Sequence, residues 1–289
     1  MSNNSPFKLE ELIKSIDETF IPPPLKNEVV GNQLISFIKN NKKDNKMIDF
    51  QTPIIDMTHG GFPQKGNTLY ETPLQRANAF SIPIQKDDLV YKYISKLQNK
   101  IEENMDELVP EDMKGKIELQ DFIREYENKK TNKTELSLRA RFALKFKGTN
   151  GIKNEDYDVD TSIWRKEDKN VKEVTIKSVD DLEKEIKYGS KVQFIVRINK
   201  FYVSTKNEGT KKEPKYKMGI TLKIMAAQIF GSSTAKNIDY KNNNPFDNND
   251  DEVDEIDVEN MSVIDTSKLD DVDEVEVEVD DDDENDETD

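Results

Sequence analysis

KVQFIVRINKFYVS, Lys191 to Ser204, and YKMGITLKIMAAQIF, Tyr216 to Phe230, flank the tip TKNEGTKKEPK, Thr205 to Lys215. The two flanks are the densest β-forming runs in the chain, and the tip between them is rich in Gly, Pro and Lys. That pattern predicts a hairpin of two long strands. Side chains alternate across a strand, so Phe194, Val196 and Ile198 share one face while Ile195, Arg197, Asn199 and Phe201 share the other. The all-apolar face places Phe194 in the core. The second face carries cations and an aromatic ring.

Working back from the hairpin, a period of two recurs from Thr134. Leu136, Leu138, Ala140, Phe142, Leu144 and Phe146 alternate with Arg139, Arg141, Lys145 and Lys147, which predicts a strand with one apolar and one basic face, Phe142 and Phe146 lying in the core. Short strands are expected at 161–165 and 173–176, then a helix over 179–187 capped by Ser178 and closed by Gly189. Broken extended pieces, read as edge strands and loops, occupy 46–84. A helix is predicted over 87–109, with Leu89, Val90, Tyr93, Ile94, Leu97 and Ile101 at helical spacing and Asp87 as its cap. Further helices are expected at 7–19, 32–40 and 118–129. The class is α+β, in three parts: a helical extension (1–45), a main domain with a helical insertion at about 87–129 (46–235), and a tail (236–289).

That tail reverses the charge of the chain. Residues 236–289 hold 24 acidic and 3 basic side chains, a charge of −21, whereas residues 1–235 carry +5. The overall charge of −16 hides this split. A mildly basic body attached to its own polyanion suggests a polyanion-binding surface with which the tail competes. The tail is too acidic to bury a core and is expected to be disordered. Val272, Val275, Val277 and Val279 alternate there with acidic residues and suit an extended docking strand. There is no cysteine and one histidine, and neither a phosphate-binding loop nor a nucleophile elbow occurs. His59, in a Gly-rich turn, reads as a solvated or loop-packing residue. Asp156, Asp158, Asp160 and Glu167 have calcium-loop spacing, but Thr161 stands where the sharp turn needs glycine. The expectation is a protein that is not an enzyme, holds no metal and needs no cofactor. Neither a signal-peptide core at Met1 to Leu9 nor a membrane-length apolar run is present, so a soluble intracellular protein is expected.

Binding an unpaired nucleic-acid strand requires cations for phosphates and aromatic faces for bases. The hairpin interleaves both: Arg197, Lys200, Phe201, Tyr202, Lys215, Tyr216, Lys217 and Lys223. Arg139, Arg141 and Lys145 repeat the theme on the preceding basic strand, and Trp164 sits beside Arg165 and Lys166. Among the rings, Phe201, Tyr202, Tyr216 and Trp164 are the stacking candidates.

Taken together, Tyr188-Gly189-Ser190-Lys191-Val192, Asn199-Lys200-Phe201-Tyr202-Val203 and Tyr216 to Lys223 through Ala227-Gln228, followed by an acidic tail, resemble the single-stranded-DNA-binding proteins of large nucleocytoplasmic DNA viruses. These are OB-fold proteins similar to acidic-tailed phage replication proteins. The resemblance implies an OB-like antiparallel β-barrel with helical insertions, the 87–109 helix decorating the barrel or building a dimer. It further implies non-sequence-specific single-stranded DNA binding in viral DNA replication, recombination or repair, at the host-cell site of replication. Carried onto this sequence, the contact residues are Lys200, Phe201, Tyr202, Tyr216, Lys217 and Lys223, and the tail would recruit replication proteins and block the groove when DNA is absent. The chain departs from the phage pattern in ending on Glu287-Thr288-Asp289, without a terminal aromatic. Two rival readings are an acidic-tailed chaperone of basic proteins and a virion or scaffold protein.

Overall fold

The computed structural model describes residues 5–27, 31–41, 46–128, 132–146, 157–167 and 170–230. The expected tail, 236–289, lies outside them. The hairpin forms as the alternation predicts: Lys191–Ser204 pairs antiparallel with Tyr216–Phe230, from Lys191 opposite Phe230 to Val203 opposite Met218. Two bulges interrupt the ladder. Met225 is an extra residue between the pairs Ile195/Ala226 and Val196/Ile224, and Asn199 is extra between Ile198/Leu222 and Lys200/Thr221. Each bulge bends its strand and exchanges the faces of the residues beyond it.

Around the hairpin the architecture is mixed α+β and mostly antiparallel. The main path of the sheet runs Ile123–Asn128, Lys133–Phe142, Tyr216–Phe230, Lys191–Ser204, Gln33–Ser36 and Leu25–Lys26. Tyr216–Phe230 also pairs parallel with Ile117–Leu119 and with the Ser162–Glu167 strand. Phe80–Ile84 lies antiparallel beside Lys133–Phe142, and Asp49–Gln51 beside Lys191–Ser204. Among the described residues the two ends of the path do not pair with each other, so the sheet is not closed.

One face of the sheet is packed by aromatic rings. Phe62 stacks on Phe142 at 5.2 Å and 8°, Phe80 meets Phe142 edge-on at 4.9 Å, and Phe194 joins Phe80 at 5.8 Å. Phe194 and Phe142 are core residues, as expected; the side chain of Phe146 lies outside the described residues. The Leu89–Glu103 helix contributes Val90, Tyr93, Ile94, Leu97 and Ile101 to the same buried cluster, each large apolar side chain contributing roughly 1.5–3 kcal/mol. This helix is part of the core. Its stripe is used internally and is not a separate decoration. It breaks at Asn104, whose side chain bonds back to the carbonyl of Lys100, and resumes as the short helix Met105–Leu108, one residue before the predicted Val109. The residue at its N-cap is Asp88, not Asp87, and the Asp88 carboxylate accepts from the Gln85 amide rather than from the helix.

Two predicted helices are strands. Residues 32–40 form Gln33–Ser36 and Lys39–Asn40, and residues 118–129 contribute Ile117–Leu119 and Ile123–Asn128. Strand pairing overrides their local preference: Gln33–Ser36 lies against the distant Phe201–Ser204, and Ile123–Asn128 forms a hairpin with Lys133–Leu138. The first helix is also shorter than predicted, Leu9–Lys14 followed by a 3-10 turn. By contrast, Ser178 caps Val179–Glu185 by accepting from the Asp181 amide, as its position predicts.

That last helix is latched to Pro73–Asn78 by charge. Arg76, 4% exposed, donates to Glu183 at 2.5 Å, to Asp180 at 3.2 Å and to the Glu71 carbonyl at 3.0 Å. Lys65 bonds the same two carboxylates at 2.9 and 3.0 Å. The hydrogen bond from Lys65 holds the Asp180 carboxyl below its ordinary range, and those from Lys184 and Ser178 do the same for Asp181. A depressed folded-state pKa contributes stability that is present above the unfolded value of about 3.9 and is lost as pH falls through the folded value. Asp180→Asn should therefore flatten the decline of melting temperature between pH 5 and pH 3. An unchanged acid limb would show that the latch does not couple to protonation.

Candidate nucleic-acid interface

The face opposite the aromatic core gathers most of the cations singled out in the sequence. On Lys133–Phe142, Leu138, Ala140 and Phe142 point inward, so Arg139 and Arg141 point outward. On Tyr216–Phe230 the inward residues are Met218, Leu222 and Ile224, which puts Lys217, Gly219, Thr221 and Lys223 outward. Lys223 is directly opposite Arg197 on one neighbouring strand and beside Arg141 on the other. Asp49 extends the same row on the fourth strand. With strands about 4.8 Å apart, Arg141, Lys223 and Arg197 form a cationic row spanning roughly 10 Å.

The two arginines of the row are held by polar neighbours. Arg197 grips Asp49 with two bonds of 2.7 and 2.9 Å. The Arg141 guanidinium, 9% exposed, donates to Thr221 Oγ1 at 3.3 Å, and Asn199 Nδ2 approaches the same oxygen at 3.5 Å. Lys200 is opposite Thr221 and adds a cation on the next row. Arg139 is exposed and reaches the Asn78 carbonyl at 3.4 Å. The sequence reading missed the organising roles of Asp49, Asn199 and Thr221. Gly219 did carry a signal, since a glycine inside a strand marks close approach.

That approach is made by Tyr202. The two residues are directly opposite, and a Cβ on Gly219 would lie 3.0 Å from Tyr202 Oη and 3.2 Å from two of its ring carbons. The ring lies across the glycine at the margin of the cationic surface, and the side chain is half-buried. Tyr202→Ala is expected to weaken oligo-dT binding by ~1–3 kcal/mol, the usual value of one stacked base, and to leave the melting temperature nearly unchanged. Fluorescence anisotropy and a thermal melt check this; full affinity in the variant would remove Tyr202 from the interface.

Other expected contacts are displaced. Phe201 is 0% exposed, because the Asn199 bulge turns it inward and sends Tyr202 outward, reversing the simple alternation. Trp164 faces outward but is 8% exposed, packed with Ile195, Ala226, Val171 and Met225. Its basic flanks suggested a free ring, whereas neighbours from distant strands enclose it. Tyr216 is half-buried against the core side. Lys217 faces outward but is paired with Glu208. Lys215 is exposed on the tip, where Asn207 accepts from its amide at 3.0 Å and from that of Gly209 at 2.9 Å. Lys145 is exposed on a separate two-stranded arm, opposite Asp158, and does not join the row.

Among the described residues, no group of three His, Asp or Glu side chains is placed to hold a metal. Thr161 is buried and ties three strands together, accepting from the Ala143 amide at 2.8 Å and donating to the Ile224 carbonyl at 2.9 Å. Asp156, the first member of the calcium-like spacing, lies outside the described residues. His59 is half-buried, with Nε2 3.2 Å from the Leu136 carbonyl and its ring edge-on to Tyr126. No described helix is long and apolar enough to cross a membrane. No family model matches the chain, and no curated protein matches its sequence.

Proposed function

We propose that the protein binds single-stranded DNA without sequence preference across the outer face of the sheet. The observation that carries this reading is the row Arg141, Lys223 and Arg197, one cation from each of three adjacent strands, with Lys200 and Arg139 beside it. Cations brought together on adjacent strands attract phosphate oxygens, and a row across strands suits a backbone crossing the sheet. Tyr202 supplies an aromatic surface at the margin. The bulged hairpin suits an OB-like sheet, left open and extended by the flanking strands.

The acidic residues that follow Tyr216–Phe230 in the sequence complete the reading. A segment of −21 tethered to the sheet competes with phosphates for the same cations and offers replication proteins a place to bind. In this account the protein coats unpaired DNA in viral replication, recombination or repair. Anisotropy titrations of oligo-dT and of duplex of the same length test it, with the full chain and with a chain ending at Ala235. The expected result is tighter binding of the single strand, and a further gain with a steeper salt dependence in the shortened chain. Equal or tighter duplex binding would reduce the surface to charge alone. Identical affinity and slope in both chains would remove the competition by the acidic segment.

A further inference from the structure

Outside the cationic face, the stretch FIPPPLKN, Phe20 to Asn27, is unusual in both conformation and exposure. Ile21, Pro22 and Pro23 each precede a proline and are driven into extended geometry, while the three rings hold φ near about −65°. Between the strand residues Phe20 and Leu25, those constraints favour polyproline II geometry over Ile21–Pro24, with about three residues per turn. Exposure follows that period. Phe20, Pro23 and Lys26 are exposed, whereas Ile21 and Pro24 are half-buried and Asn27 is buried. A pleated strand would instead group Pro22 and Pro24 with Phe20 and Lys26. Leu25, 74% exposed, stands next to the outward edge.

The strip is held at both ends. Phe20 pairs with Lys39, Leu25 with Ile35 and Lys26 with Leu34, and the Ser36 hydroxyl donates to the Pro22 carbonyl at 2.7 Å. The ordering that a free proline-rich peptide undergoes on binding has already occurred here. Its Leu25–Lys26 end lies two strands beyond Lys191–Ser204, on the side away from Lys223, while Phe20 joins a separate three-stranded sheet.

We infer that Phe20–Lys26 is a docking ligand for a partner with an aromatic-lined, polyproline-recognising groove bordered by acidic residues, of the SH3 type. Phe20 and Pro23 fill the aromatic slots, and Lys26, one residue beyond the exposed Leu25, meets the acidic border. The inference does not depend on DNA binding. A panel of purified SH3 domains, with WW domains alongside, is titrated against the immobilised full-length chain. The expected result is binding by a subset of the SH3 domains, weakened at least about tenfold, or ~1.4 kcal/mol, by Pro23→Ser and by Lys26→Glu. Melting temperature and oligo-dT affinity should be unchanged in both variants. Binding by no SH3 domain, binding that survives both substitutions, or tighter binding by the WW domains would overturn the assignment.

Discussion

A chain carrying Arg139→Gln, Lys200→Gln and Lys223→Gln is expected to bind oligo-dT on the order of a hundredfold more weakly at 0.1 M salt. The slope of log K against log salt should become shallower by about 2, since each lost single-strand phosphate contact removes about 0.7. These three residues occupy the outward surface of three adjacent strands. Glutamine is shorter but polar and uncharged, and all three side chains face outward, so the core beneath is undisturbed. Arg197 is left in place because removing it would strand the Asp49 carboxylate that it grips at 2.7 and 2.9 Å. Titration at several salt concentrations supplies both numbers. A slope equal to that of the unaltered chain would place the phosphates elsewhere.

Phe201→Ala and Phe194→Ala should each cost ~3–5 kcal/mol of stability, the usual loss when a buried aromatic ring is truncated. Both rings are fully buried, and they sit on the same face only because of the bulge at Asn199. Urea denaturation measures the loss. The affinity of the molecules that remain folded should change little, because neither ring reaches the outer surface. If Phe201→Ala kept its stability and lost DNA affinity, the ring would belong to the interface after all.

The contrast between those two phenylalanines shows what the sequence makes legible. Phe194 sits in an uninterrupted alternation, and the strand ends at Lys191, Ser204, Tyr216 and Phe230 follow directly from the pattern and the Gly- and Lys-rich tip. Beyond Asn199 the letters still alternate, yet the pairing skips a residue. Nothing local marks the skip, because it depends on the neighbouring strand. Trp164 fails for a related reason: Ile195 and Ala226 enclose it from positions more than thirty residues away in the chain. The segments near residues 32–40 and 118–129 carry helix-compatible composition, and only the strands they meet make them extended. Of the interface, the cations were readable one by one from their alternation with apolar residues. Their alignment into a row depended on registers that no single segment contains.

The strand that lies in the middle of the sheet, Tyr216–Phe230, is among the last parts of the described fold to be synthesised. Until it leaves the ribosome, Lys133–Phe142 and Lys191–Ser204 lack the neighbour that joins them, and the early segments Gln33–Ser36 and Asp49–Gln51 wait for partners more than a hundred residues downstream. Such long-range pairing folds slowly and leaves sticky edges open in the meantime. The 59 residues that follow Phe230 take about 3–12 s to translate at ~5–20 residues per second. The central strand emerges part-way through that interval and can then find its place while the nascent chain is still held. A segment otherwise notable for its charge thus also supplies time for assembly.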